Sequence, residues 1–395
     1  MANKASKRRE KGTGTIYQRD NGTWVGKIDI GLNENGKRKF KCFSGKTEAE
    51  VKRKIREYNK SDNHVDTKRV SVGTYLMDWL MTYKKGTIKP GSLDALEKTI
   101  KNHIVPNIGF IQLQSLSSED VQRLLVRLKD VDGYSHSTVK KVYDCLNAAF
   151  THAILSNDVA RNPMSTVKMP DKNLFKTKEI RVFNEKECSL IIEECSREYS
   201  TGAPVYQYAD VYILMMNTGI RLGEAIGIKI SDIDFDNRTI HIRRNLQSVS
   251  KRDNDGNRIT GKVIVENTTK TYSGNRIIPL NDAALTSLNR LCASADECEY
   301  VVHSSSGKPV PPERIERTFY RILRNAGIEK CGTHSLRHTF ASMLFANGVD
   351  IKTVSELLGH ASIQITMNTY VHLIGNTKHA ARPQKILCKR RDMTV

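Results

Sequence analysis

The sequence predicts a multidomain, mainly α protein. A small β-sheet-plus-helix unit comes first, then an α-helical bundle, then a mixed α+β, mostly α, domain in the second half. Three observations carry this. Residues 1–65 hold strand-like runs separated by Asp20-Asn21-Gly22 and Asn33-Glu34-Asn35-Gly36, and Asn-Gly is the pair that tight hairpin turns favour. From Ser71 the apolar spacing changes to that of a helix. From about Val182 helical and strand-like runs follow one another. A chain of 395 residues has room for two or three domains at roughly 100–200 residues each.

Within residues 1–65, Trp24, Ile28 and Ile30 fall on one side of the second strand. In the third strand Lys37, Lys39 and Lys41 share a side, and Phe40 and Cys42 share the other. Thr47 and Glu50 make a capping box for a helix that turns Val51, Ile55 and Tyr58 inward. The unit holds 17 Lys+Arg against 8 Asp+Glu. A sheet backed by a helix, with a lysine-studded face, suits a DNA groove; the same lysines would also guard a sheet edge against aggregation.

Residues 70–163 read as four helices. Val72, Tyr75, Leu76, Trp79, Leu80 and Tyr83 form the first stripe, and Leu93, Leu96, Ile100 and Ile104 the second. Ser117 caps a third, carrying Val121, Leu124, Leu125 and Leu128 inward. A fourth starts at Ser137 and exposes Lys140 and Lys141. Residues 164–181 are polar, basic and contain Pro170, as a linker would. The last domain, 182–372, opens on an Asn184/Glu187 capping pair and leaves 373–395 as a tail.

The net charge of +20 points to a polyanionic partner, with nucleic acid ahead of membrane because no amphipathic anchor is evident. No apolar run is long enough to span a bilayer, and the N-terminus lacks the apolar core of a signal peptide, so a cytoplasmic location is expected. Eight scattered cysteines contain no C-x-x-C pair, which argues against a zinc site and a disulfide framework. No G-x-x-x-x-G-K-[ST] run suggests ATP. Neither metal nor cofactor is expected.

Polar chemistry concentrates between His334 and Tyr370. His334 and Arg337 stand three residues apart at a helix start, so both project from one face. Gly348 and Gly359 suit left-handed helix caps, Asp350 caps the helix between them, and His360 stands just past the second glycine. Ser362 is placed to cap a third short helix that ends near Tyr370. Polar groups gathered at helix ends on an apolar scaffold suit an oxyanion.

The order H-S-L-R-H-T-F-A, L-L-G-H, T-x-x-x-Y resembles the tyrosine site-specific recombinases, the phage integrase family. Upstream, Thr218 to Glu224 fits the family's T-G-[IL]-R-x-x-E box, which matches Arg221 to its first arginine and Glu224 to the acid that holds it. NTTKTYSGNRIIPL fits its lysine hairpin, matching Lys270 and making Arg276 structural, with a phosphate contact as an added role. The helix PPERIERTFYRILRNAGI exposes Arg314, Arg317 and Arg324, either toward a DNA groove or toward solvent. The N-terminal unit resembles the family's arm-type DNA-binding domain, and the bundle its core-binding domain.

What the resemblance implies is a catalytic set of Arg221, Lys270, His334, Arg337, His360 and the nucleophile Tyr370. Lys270 would protonate the leaving 5′ oxygen, His334 would assist proton transfer at the nucleophile, and His360 would bond a phosphate oxygen. Implied partners are double-stranded DNA at core-type and arm-type sites, a homotetramer on that DNA, an excisionase and a host DNA-bending protein. The function implied is integration and excision of a mobile element or prophage. Rival readings are a type IB topoisomerase, which would relax any supercoiled plasmid, and a non-catalytic DNA-binding regulator.

Overall fold

The computed structural model describes residues 15–32, 38–60, 70–176, 179–268, 274–293 and 299–376. They divide into two compact units: the N-terminal sheet, its helix and the bundle through Lys176, and the residues from Glu179 onward together with Ile88–Asp94.

Strands β1 (Thr15–Gln18), β2 (Trp24–Leu32) and β3 (Arg38–Gly45) form an antiparallel sheet in that order. Helix α1 (Glu48–Lys60) packs Val51 and Ile55 against Ile28, with Ile16, Phe43 and Tyr58 around them. Gly26 permits this approach, because a Cβ there would lie 2.6 Å from Ile55 Cδ1. The register pairs Gly26 with Phe43 and Ile28 with Lys41. Lys41 therefore lies on the helix-covered side, its ammonium 5.2 Å from the centre of the Tyr58 ring. Phe40 and Cys42 occupy the uncovered side, both exposed. The alternation within β3 is as read, but the lysine-studded open face is corrected for Lys41, because only cross-strand register tells which side the helix covers. Lys37 lies outside the described residues, as does the side chain of Lys39.

The bundle contains α2 (Val72–Trp79), α3 (Pro90–Thr99), α4 (Val105–Ile108), α5 (Ser118–Asp130) and α6 (His136–Leu155). Ser71 and Ser117 cap α2 and α5 as their spacing to the next apolar run demands. The four predicted stripes bury Val72, Leu76, Ile100, Leu125, Val142 and Phe150 together with their neighbours. A π-helical turn, Leu80–Lys84, follows α2 and rotates Tyr83 out of its stripe, leaving it 50% exposed. Part of the expected linker belongs to the bundle. Gln122 donates to the Lys168 carbonyl and accepts from its amide, Met164 and Val167 are buried, and Phe175 stacks edge-on with His136.

The second unit runs α7 (Glu185–Cys195), α8 (Ala209–Thr218), α9 (Leu222–Ala225), β4 (Ile233–Asp234), β5 (Thr239–Ile242), β6 (Arg244–Arg252), β7 (Arg258–Thr268), β8 (Arg276–Pro279), α10 (Asp282–Cys292), α11 (Pro312–Asn325), α12 (His334–Ala346), α13 (Ile351–Leu358) and α14 (Ile363–Asn376). Apolar nearly all round, α8 is the central helix, with Val211, Tyr212, Leu214 and Met215 buried. Strands β4, β5 and β8 form one sheet, and β6 and β7 a separate ribbon. The strands flanking Lys270 thus pair with different partners, β7 with β6 and β8 with β5. This replaces the expected hairpin: the eleven residues of β7 are matched by the long β6, not by the four of β8. Lys270 itself lies outside the described residues.

Candidate active site

Arg221, Glu224, His334, His338, His360 and Tyr370 line one cavity of about 620 Å³ in the second unit. Arg221, Glu224, His334 and His360 reach it from helix ends, and His338 and Tyr370 from within α12 and α14. Helix α8 stops at Gly219, whose φ of 66° ends it in a left-handed cap; a Cβ there would fall 2.3 Å from Phe340 Cδ1. Two residues on, Arg221 begins α9, and its backbone amide donates to Glu224 Oε2 at 2.9 Å.

Glu224 is the hub. Its side chain is 3% exposed, accepts from Arg221 Nη1 at 2.8 Å and from Arg276 Nη2 at 2.8 Å. Burial alone would raise its pKa, but Arg276 and then Arg221 outweigh it and hold the carboxyl at about 2. Arg276 is almost buried and spends its Nε on the Leu357 carbonyl at 2.7 Å. Its guanidinium is committed inside the protein, which fits the structural role read for it and not the added phosphate contact. Arg221 keeps 38% of its side chain exposed and is the guanidinium of this pair that faces the cavity.

Arg337 lies one turn into α12, 1% exposed. Its Nη1 donates to the Gly219 carbonyl at 2.9 Å and its Nη2 to the Leu358 carbonyl at 2.6 Å. Both carbonyls belong to helix C-termini, where backbone acceptors lack partners and carry partial negative charge. Burial, then the nearby Arg221, lowers its pKa to about 9, so it stays charged at neutral pH. Among the described residues that line the cavity, Lys89 and Arg221 outweigh Glu224 and leave it net positive.

At the end of α13, Gly359 adopts φ 65° and the His360 amide returns to the Ser355 carbonyl at 3.1 Å, a glycine-dependent helix stop. Asp350 caps the start of this helix as expected. The turn sets His360 beside α14, where its Nδ1 lies 2.8 Å from Thr366 Oγ1. Helix α14 continues beyond Tyr370 to Asn376, longer than the short helix expected. Tyr370 is 1% exposed and its hydroxyl lies 2.7 Å from His338 Nδ1. Burial raises the phenol to about 12, against a smaller opposing effect of Arg337.

All three histidines are held toward the neutral form, by desolvation first and then by neighbouring positive groups. His338 and His360 are lowered to about 4, and His334 is lowered although its ring opens to the cavity. An unfolded chain binds more protons than the folded one between the ordinary histidine value of about 6.5 and these lowered values. Stability therefore falls as pH drops through that window, and falls again as Glu224 is protonated toward its pKa. Thermal melts at pH 7.5, 5.5 and 4.5 should show a steadily falling Tm; no change between pH 7.5 and 5 would mean that the histidines are not held neutral.

Two residues of the site, His338 and Thr366, escaped the sequence reading. Their signals were present: His338 directly follows Arg337 and lies one turn from His334, and Thr366 lies one turn before Tyr370. Thr366→Val would leave His360 Nδ1 without its partner, at a cost of about 1–3 kcal/mol, readable by urea denaturation; an unchanged midpoint would show that water replaces the hydroxyl freely. Elsewhere, Lys140 pairs with Asp144 at 2.8 Å on the exposed face of α6, and Lys141 beside it is exposed. On α11, Arg314 and Arg317 are exposed, Arg314 donating to Gln207 at 3.2 Å.

Comparison with known proteins accords with this geometry. The Phage integrase family matches residues 181–376, and the Phage integrase N-terminal SAM-like domain matches 71–129. A Tyrosine recombinase XerC-like protein of Caldanaerobacter subterraneus subsp. tengcongensis is 29% identical over 89% of this chain and 92% of its own. The Integrase of Staphylococcus phage L54a is 23% identical over 82% of this chain and 94% of its own. Among solved structures, the Tn1549 transposon Integrase in complex with a circular intermediate DNA shares the fold with a TM-score of 0.62 at 20% identity, covering 76% of this chain and 95% of that one. A lambda integrase dimer bound to a core site gives 0.54 at 16% identity, covering 96% and 100%. With two of its domain families matched over the regions that hold the helical bundle and the arginine–histidine–tyrosine cavity, this chain belongs to the phage integrase family of tyrosine recombinases.

Proposed function

We propose that the chain cuts and rejoins DNA at specific sites through Tyr370, and so integrates and excises a mobile element or prophage. The observation that carries the reading is a net positive cavity that holds Arg221, His334, His360 and Tyr370 on its walls. A phosphodiester carries one negative charge, and more develops on its nonbridging oxygens during attack. Guanidinium forks match those oxygens bidentately and keep their charge. Stabilising charge that develops in the transition state is commonly the largest catalytic contribution, with one donor worth about 2.7–4 kcal/mol. Arg221 offers a third-exposed fork, and Arg337 retains donors beyond the two bonded to backbone carbonyls.

Attack by the Tyr370 oxygen forms a 3′-phosphotyrosyl bond as the bond to the 5′ oxygen breaks, the leaving oxygen taking a proton from Lys270 by family resemblance. Attack by a 5′ hydroxyl from another duplex then breaks the phosphotyrosyl bond and completes the strand exchange, so neither ATP nor hydrolysis is needed. The named relatives favour a mobile-element role: one is a phage integrase and others are transposases of Tn916 and Tn1545. Assembly as a tetramer belongs to the same proposal, by analogy with the lambda integrase tetramer bound to a Holliday junction, as do an excisionase and a DNA-bending host protein. Lys140, Lys141, Arg314 and Arg317 are proposed DNA contacts because their exposed side chains can reach phosphates, Lys140 and Arg314 by exchanging their surface partners Asp144 and Gln207.

The test is a nicked duplex carrying the element's own end. A denaturant-stable adduct, digested with protease and mapped by mass spectrometry to the peptide containing Tyr370, supports the reading. An adduct on another residue, or relaxation of plasmids that lack the site, would overturn it.

A further inference from the structure

Resting on the proposed role of Tyr370, we infer that His338 is the group that takes the proton from the nucleophile, a role the family pattern suggested for His334. The geometry singles it out. Tyr370 is buried, and the hydrogen bond recorded for its hydroxyl is the 2.7 Å contact with His338 Nδ1. Phe345 packs against the same ring with centres 5.7 Å apart, while His338 meets its hydroxyl. His334 stacks edge-on against His338 at 4.7 Å between ring centres, which places it next to the acceptor and not at the phenol.

The surrounding charges favour an acceptor. On its own helix His338 faces His334 and the Arg337 guanidinium; across the cavity stand Arg221, Glu224 and His360, and from α14 Tyr370 reaches it. Burial first, and then its neighbours His334 and Arg337, keep the ring neutral. A neutral imidazole protonated on Nε2 presents a lone pair at Nδ1, which is what a phenol O–H needs. A phosphodiester entering the cavity adds negative charge facing the ring and raises its basicity.

The step balances. As the Tyr370 oxygen forms its bond to phosphorus, its proton passes to Nδ1, and the electron pair of the breaking P–O bond leaves with the 5′ oxygen, which takes a proton from the general acid. His338 becomes an imidazolium. When a 5′ hydroxyl later attacks the phosphotyrosine, its proton returns to the deprotonated general acid, and the tyrosine oxygen leaves and recovers the proton held by His338. A buried phenol with a raised pKa has little anion at neutral pH without such an acceptor.

The experiment is single-turnover cleavage of the nicked duplex from pH 5.5 to 9 by the full chain, its His338→Asn variant and Tyr370→Phe. Asn places an amide near the Nδ1 position, so it can hold the hydroxyl but cannot accept its proton. The inference predicts a wild-type rate nearly flat from pH 6.5 to 8.5. It predicts that His338→Asn binds the duplex normally, cleaves about 10²–10⁴-fold more slowly at pH 7, and gains about tenfold per pH unit as hydroxide takes over. If His338→Asn cleaves like wild type with the same profile, His338 only docks the phenol and the inference fails. A wild-type rate that itself climbs tenfold per unit across this range overturns it without any variant, which decides the matter even if the substitution does not fold. Adduct formed by Tyr370→Phe would instead sink the reading beneath it.

Discussion

Tyr370→Phe should bind the nicked duplex as the wild type does and form no covalent adduct. The substitution removes one oxygen from a side chain whose ring is otherwise held by packing. Phe345 contacts that ring, and Phe340, Val354 and Leu358 share its cluster, so a phenyl group keeps the apolar contacts of α14. What is lost is the hydrogen bond to His338. That leaves a half-buried imidazole nitrogen with access to the cavity, at a cost of about 1–3 kcal/mol at most, too little to unfold a typical domain. Among the described residues that line the cavity, the other hydroxyl, that of Thr369, is bonded back to the Ile365 carbonyl. Denaturing gels measure the adduct and fluorescence anisotropy measures binding. Adduct at the wild-type rate would show that another residue is the nucleophile, while loss of binding would show that Tyr370 supports the fold more than its packing indicates.

Glu224→Gln carries the largest expected effect on stability, about 3–5 kcal/mol. Gln has the same shape, so no cavity opens and the loss isolates charge. Glu224 and Arg276 are both buried, and the carboxylate also anchors Arg221. Neutralising it leaves the Arg276 cation without its counter-charge in a medium that solvates it poorly, with the Gln carbonyl, the Leu357 carbonyl and a weak Gly274 contact as neutral acceptors. At roughly 2–4 °C per kcal/mol for a domain of this size, Tm should drop by roughly 6–20 °C, and scanning calorimetry measures it. A change under about 1 kcal/mol would mean that water reaches Arg276. Replacing Arg276 with Met in the same background should recover much of the loss, because the stranded charge is then gone.

Much of this protein was legible in one dimension. Helix starts follow from side-chain oxygens three residues before an amide, as at Ser117, Asn184 and Asp350, and helix stops from glycines that tolerate positive φ, as at Gly219 and Gly359. These are local effects, decided within one or two turns. The T-G-I-R-L-G-E and H-S-L-R-H runs identified the arginines through their resemblance to the family's boxes, and in the second run His334 and Arg337 also share one helical face.

Tertiary structure decided the rest. Lys41 faces α1 because cross-strand register, not alternation within β3, selects the covered side. Lys270 is flanked by strands of two different sheets because β7 matches the length of β6. Arg276 belongs to Glu224, 52 residues earlier, and Arg337 clasps carbonyls contributed by two other helices. His338 meets Tyr370 only because α12 and α14 pack together. The sequence by itself determined where α5, α7 and α13 begin and where α8 and α13 end, and, through the family resemblance, which residue types could carry phosphoryl transfer. Which imidazole touches the phenol, and which arginine faces the cavity, depended on contacts between distant segments, and those are set by packing that no local pattern encodes.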